Sequence, residues 1–242
     1  MDLRHIFIKF AISNSASLTN QNPTTMKTLL ILLISTLMIS CGTATKPSTP
    51  VTYGESIELL QPDLDGGLPI NRALSLRASS RDFSDAPLSL EELSEVLWAA
   101  AGVNRPDGHL TAPSAIGLYP VSLYAFTPEG VYLYSSADHT LTRVAEGDHR
   151  ELSAAQDFAF VAPLNIVYIA DLGKYNNKGI PREKAEYLCG QDAAGYAENV
   201  NLYAAGHSLK AITRGSLRSA EVLELLGLGE EHVVVLAQTV GK

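Results

Sequence analysis

The sequence predicts an α+β protein: a central sheet, dominated by antiparallel pairing, with helices on its flanks. Two strand-like runs, 119–126 and 131–136, follow one another across a Pro/Gly turn instead of alternating with helices as parallel crossover units do. A long stretch at 182–209 is helical in pattern and rich in small residues. The chain closes on "EHVVVLAQTVG" (231–241), a β-branched run of strand character. With 242 residues, 46% of them hydrophobic, it can bury a substantial core, and its length suits one domain with appendages.

The elements follow in order. "PLSLEELSEVLWAAAGV" (87–103) reads as the first clear helix, with Ser89 and Glu92 forming a capping box and Leu90, Leu93, Val96, Leu97, Ala100 and Ala101 on one apolar face. Gly102 suits its C-terminus. "YPVSLYAF", "TPEG" and "VYLYSS" make a hairpin, to which "HTLTRV" (139–144) adds a shorter strand. "GDHRELSAAQDF" (147–158) is expected to be helical and "PLNIVYIAD" (163–171) a buried strand. Along 182–209, Ala193, Ala194, Gly195, Ala197, Ala204, Ala205 and Gly206 permit close backbone approach, which makes this helix central. "SAEVLELLGL" (219–228) is a short amphipathic helix.

Composition excludes several classes. A net charge of −8 and a pI near 5.2 disfavour a nucleic-acid binder, because phosphate backbones recruit basic surfaces. Two cysteines without a C-x-x-C spacing, and six scattered histidines, argue against a structural metal site.

"MKTLLILLISTLMISCG" (26–42) carries an address. Lys27 provides a positive start, and Leu29 to Ile39 form an apolar run too short for a membrane span, which needs roughly 18 or more residues. The run ends at "LMISC", with small Ser40 before Cys41, and resembles the lipobox of bacterial lipoproteins. That resemblance implies cleavage before Cys41, lipidation of Cys41, and anchoring in the cell envelope facing the periplasm or the surface. The alternative is a core helix with an incidental cysteine. Residues 1–25 read as an upstream extension, or else as a long n-region, and 26–40 as the signal. The Thr/Pro/Ser-rich stretch opening 41–66 reads as a tether to a domain at 67–242. Cys189 is then left as a lone thiol that behaves as a small hydrophobe.

"RASSRDF" (77–83) sets two arginines four apart around two serines. Two guanidiniums and a hydroxyl can give several charge-assisted hydrogen bonds to one phosphate, although a solvated surface turn carries the same residues. Three more segments bear on the choice: "TAPSAIGLYP" (111–120), "GYAENVNLYAAG" followed by "AITRGSLRSAEVLELLGL" (195–228), and "EEHVVVLAQTVGK" (230–242). Together, in this order, they resemble the nitroreductase superfamily of FMN-dependent oxidoreductases over roughly residues 70–242. "PSAIGLYP" is most similar to the branch of SagB-type dehydrogenases and thiazoline/oxazoline oxidases.

The resemblance implies a nitroreductase-like fold and a homodimer binding FMN at its subunit interface. It assigns Arg77, Ser79 and Arg81 to the phosphate and ribityl chain, with Lys242 also at the phosphate. Pro113, Ser114 and Ala115 would reach the flavin held mainly by the partner. Thr213, Arg214 and Gly215, in a loop after the long helix, would lay backbone N–H groups near flavin N5 and O4. Lys174 and Tyr175 in "GKYNNKG" match the catalytic Lys-Tyr pair described for SagB-type enzymes, beside the plainer reading of a solvated loop. Tyr119 is the candidate for the substrate side. His109 could give a proton but reads as a surface residue, and Trp98 belongs to the core.

The activity so implied is hydride transfer through flavin N5, between NAD(P)H or a small organic or peptide-derived donor and an acceptor. A lipid-tethered binding protein that reuses the scaffold without redox chemistry is the alternative. A surface adhesin fits the glycine-containing, helix-rich interior less well.

Overall fold

The computed structural model describes residues 48–242. The extension, the signal stretch, Cys41 and the first part of the tether lie outside the described residues. The sheet has seven strands: β1 (Ser56–Glu58), β2 (Val121–Thr127), β3 (Gly130–Ser135), β4 (Thr140–Glu146), β5 (Leu164–Asp171), β6 (Lys210–Arg214) and β7 (His232–Gly241). Their spatial order is β1-β4-β3-β2-β5-β7-β6, and every neighbouring pair is antiparallel. The helices are α1 (Ile70–Leu76), α2 (Leu90–Ala101), α3 (Phe158–Val161), α4 (Arg182–Gly206) and α5 (Ser219–Leu225). This is the α+β, helix-flanked antiparallel sheet that the hairpin pattern predicts.

Both faces of the sheet are covered, and β5 shows why a strand there must be continuously apolar. Leu164, Ile166, Tyr168 and Ala170 point to the face packed by α2 and α4. Val167 and Ile169 point to the other, where Val222 of α5 meets Phe126 and Val131. Alternation along the pleat sends successive side chains to opposite faces, so a strand buried on both loses its polar phase. On α4 the buried positions Ala185, Cys189, Ala193, Tyr196, Val200 and Ala204 recur every three or four residues, which lays one apolar stripe, small except at Tyr196 and Val200, toward the sheet.

The first clear helix forms as expected. Ser89 Oγ accepts from Glu92 N–H, and Glu92 returns the bond to Ser89 N–H. Gly102 closes α2 with an ordinary φ of −74°, so conformational freedom does not explain it. Space does: a Cβ there would lie 2.2 Å from the Trp98 ring.

Three expectations are corrected. The tether does not reach residue 66. Thr49 and Pro50 dock on the start of α2, Ser56–Glu58 pairs with β4, and Ile57 and Leu59 are buried. Its average composition conceals those two inward side chains. The helix expected at 147–158 is a single 3-10 turn at Arg150–Ser153, followed by a bend and α3. Here tertiary bonds displace helical ones: Ser153 C=O accepts from Arg214 Nη1 (2.7 Å), and Arg150 Nη1 donates to Ala162 C=O (2.9 Å). Finally, the loop expected after the long helix is strand β6, paired with β7 from Lys210 to Arg214.

Candidate functional site

β6 is the last strand of the sheet, and its outer edge meets "RASSRDF". After α1 the chain passes through Ala78, Ser79 and Ser80; Ser79 bridges Ala211 in parallel, and Ser80 N–H donates to Ala211 C=O at 3.1 Å. Backbone groups alternate along a strand, so Ala211 and Thr213 direct theirs outward while Lys210, Ile212 and Arg214 pair with β7. The Thr213 N–H therefore lies on the open edge, about 7 Å beyond Ala211. Next to this edge is a cleft of about 310 Å³ lined by Leu76, Ala78, Ser79 and Ser80 on one side and Asn201, Ala204 and Ala205 of α4 on the other. Arg77 and Arg81 flank Ala78, Ser79 and Ser80 along the chain, are exposed, and form no ion pair among the described residues.

A hydrogen-bonded relay holds the cleft from beneath. The buried Tyr168 hydroxyl donates to Gln238 Oε1 (2.6 Å), Gln238 Nε2 to Asn201 Oδ1 (2.8 Å), and Asn201 Nδ2 to Thr213 Oγ1 (3.3 Å). Arg214 contributes only backbone here. Its side chain is turned into the core, 6% exposed, bonded to Ser153 C=O, Asn165 and Thr239, and burial pushes the guanidinium down to about 10. Gly215 is exposed just past the strand. The Lys242 ammonium is paired with Glu92 at 2.9 Å and donates to Pro87 C=O. Lys210 is held by Asp82.

The second cluster surrounds residues 113–119. Pro113 is exposed. Ser114 Oγ donates to Asp192 Oδ2 at 2.5 Å, and Ala115 N–H donates to Asp192 Oδ1 at 3.0 Å. The serine hydroxyl and the alanine amide are thus turned inward, onto the buried carboxylate of α4. Ser114 Oγ also accepts from Tyr119 N–H at 2.9 Å. The chain between them is strained, with Ile116 at φ 51° and Tyr119 at φ 46°. Ile116 is nevertheless 66% exposed.

Lys174 is brought to the same loop, its Nζ donating to Tyr119 C=O at 2.8 Å. Tyr175 is not a surface loop residue: it is 3% exposed, its hydroxyl has no hydrogen-bond partner, and burial, with Cys189 and Asp192 beside it, pushes it upward. Burial likewise raises the Cys189 thiol. Tyr119 walls a second cavity, of about 280 Å³, with Leu110, Ser122 and Tyr134. His109 stays at the surface, held by Asp107, and Trp98 packs on α2 with Nε1 bonded to Val103 C=O.

Asp192, Asn201 and Gln238 are the residues that sequence reasoning missed. Each is a polar residue at a buried or small-residue position, as in "CGQDAAGYA" and "VVVLAQTVG", and that interruption was the available signal. Asp192 and Asn201 stand nine residues apart on α4, about 14 Å, so one helix anchors both clusters.

Residues 74–242 match the Nitroreductase family. The chain is 36% identical to a nitroreductase-like protein of Ralstonia eutropha JMP134 of known crystal structure, with TM-score 0.73, covering 81% of this chain and 94% of that one. It is 28% identical to a Methanocaldococcus jannaschii protein described as a nitroreductase, over 76% of this chain and 96% of that protein. The NADPH:FMN oxidoreductase of Vibrio harveyi shares the fold at 21% identity, TM-score 0.53, over 71% of this chain and 67% of that one. The chain belongs to the nitroreductase family.

Proposed function

We propose that this protein is an FMN-dependent oxidoreductase of the SagB-type dehydrogenase kind, acting as a homodimer and moving hydride between NAD(P)H or an organic donor and an acceptor. The observation that carries this reading is the state of Arg77 and Arg81. A protein of net charge −8 keeps two arginines exposed, in no ion pair among the described residues, on the same short segment whose Ala78, Ser79 and Ser80 line a cleft. The residues fit the cofactor. A phosphate needs cations, which Arg77 and Arg81 supply, with Ser79 between them. A flat ring needs a slot without bulky side chains, which Ala78, Ala204 and Ala205 leave, and directed donors such as the outward Thr213 N–H. Bound FMN would supply hydride acceptance and release. The protein's share is to hold the phosphate, orient the ring and exclude water.

Leu64, Leu68, Ile70, Leu74 and Leu76 are all exposed, and Leu76 also lines the cleft, an accumulation of bare apolar side chains that supports pairing with a second copy. The family resemblance implies that such pairing sets the 113–119 loop of one copy toward the cleft of the other. Lys174, exposed beside that loop with its ammonium on the Tyr119 carbonyl, would be the residue to exchange a proton with a substrate; Tyr175 lies too deep to touch one. Anchoring through Cys41 rests on the lipobox-like stretch alone.

The test is the visible spectrum of the purified protein, with mass analysis of any released ligand. FMN is expected in the wild type, and Arg77→Ala with Arg81→Ala should weaken its binding by on the order of a hundredfold or more while leaving the far-UV spectrum unchanged. Undiminished FMN in that variant would remove the cradle. A binding protein without redox chemistry is the second reading. It is favoured by Lys242, whose charge is engaged by Glu92, and a colourless protein that ignores added FMN would establish it.

A further inference from the structure

We propose that Asp192 is a positioning residue: its carboxylate holds the 114–119 loop in its strained form, and so sets Tyr119 against the cavity it walls and keeps Ile116 exposed at the surface. The clamp is independent of what binds, but the ligand that the loop meets rests on the flavin reading above.

Asp192 is 5% exposed and has no cationic partner among the described residues. Cys189, Tyr175 and Tyr196 lie close by, all three with protons held more tightly through burial and through the nearby Asp192 charge. A buried carboxylate is costly unless hydrogen-bonded, and the loop supplies the two bonds seen, one from a hydroxyl and one from an amide. The exchange is mutual. A β-branched residue at positive φ is disfavoured and persists where neighbours over-determine it. Here the loop's start is tied to Asp192, its end is tied back through Ser114 Oγ to Tyr119 N–H, and Lys174 holds the Tyr119 carbonyl. Ser114 therefore acts inside the protein, as the link between Asp192 and Tyr119, rather than as a donor presented to a ligand.

The test uses full-length Asp192→Ala, Ser114→Ala and Asp192→Asn. In protein without added flavin, amide hydrogen exchange should show a distinct pattern. Asp192→Ala loses protection at both Ala115 and Tyr119, whereas Ser114→Ala loses it at Tyr119 alone, because Asp192 Oδ1 still accepts from Ala115. Asp192→Asn keeps an acceptor and retains Ala115 protection, which guards against a variant that merely unfolds. With NADPH and a simple nitroaromatic as probes, Asp192→Ala should raise the nitroaromatic KM about tenfold at unchanged FMN content, with Asp192→Asn restoring most of it. Retained protection at Ala115 in Asp192→Ala, or a KM unchanged in that variant, would overturn the proposal. A wild type without FMN removes the flavin reading instead and leaves the exchange arm to decide the clamp.

Discussion

Nη2 of Arg214 lies 2.9 Å from Oδ1 of Asn165, and this buried guanidinium meets no carboxylate among the described residues. Its remaining bonds go to Thr239 Oγ1 and the Ser153 carbonyl, so neutral dipoles alone solvate the charge. Removing an acceptor should therefore hurt more than removing the cation. Asn165→Leu is expected to cost about 3 kcal/mol, and Arg214→Met less, since that change also abolishes the desolvation of the charge. Urea unfolding of the two variants gives the order, and the reverse order would refute this account of the core.

Helix α2 depends on its reciprocal cap. Ser89→Ala removes the acceptor for the Glu92 amide and should cost about 1 kcal/mol, lowering Tm by about 2–4 °C in a domain of this size. Calorimetry decides, and an unchanged Tm would mean the cap is dispensable.

Gly102→Ala tests space rather than backbone freedom. The added methyl would meet the Trp98 ring, so either the ring or the end of α2 must shift, at about 1–3 kcal/mol. Trp98 is the sole tryptophan, which makes its emission a direct reporter. A shifted emission maximum with lowered stability is expected; an unaltered spectrum would show that the ring does not guard this position.

Alkaline pH should unfold the protein through its phenols. Burial raises the pKa of Tyr53, Tyr124, Tyr132, Tyr134, Tyr168, Tyr175, Tyr196 and Tyr203, with Tyr53 pushed up to about 12. A raised native pKa means that the unfolded chain releases its proton first, near 10, so stability is full below 10 and falls as pH climbs toward 12. The depressed Arg214 acts in the opposite direction, but one group stands against eight. Absorbance at 295 nm should show these phenols ionising together with unfolding. Ionisation of most of them ahead of any change in circular dichroism would contradict the burial.

Legibility followed the range of the interactions. The Ser89–Glu92 cap, the hairpin across Pro128 and the stripe on α4 are local patterns, and they could be read directly. β6 could not, because "KAITR" is five residues with a cation at each end, and nothing local says that the Arg214 side chain is folded inward. The turn at 150–153 escaped because its carbonyl is claimed by that same arginine, 61 positions away. Arg77, Ser79 and Arg81 can be read from two charges and a hydroxyl as a phosphate cradle, whereas Thr213 enters only through resemblance to a family. Asp192 was not reached at all, since its meaning depends on a bond to Ser114, 78 positions distant.

The segment at 77–83 has a duty apart from any ligand. An open sheet ends in two rows of unpaired amides and carbonyls, which invite strands from other molecules. At one margin this sheet tapers to the three residues of β1, too short to template much. At the other, Ser79 and Ser80 lie along Ala211 and occupy its edge. A substitution that peels this segment away leaves β6 bare, and the first property to suffer is colloidal: the chain gains a sticky margin and precipitates while its core is still intact.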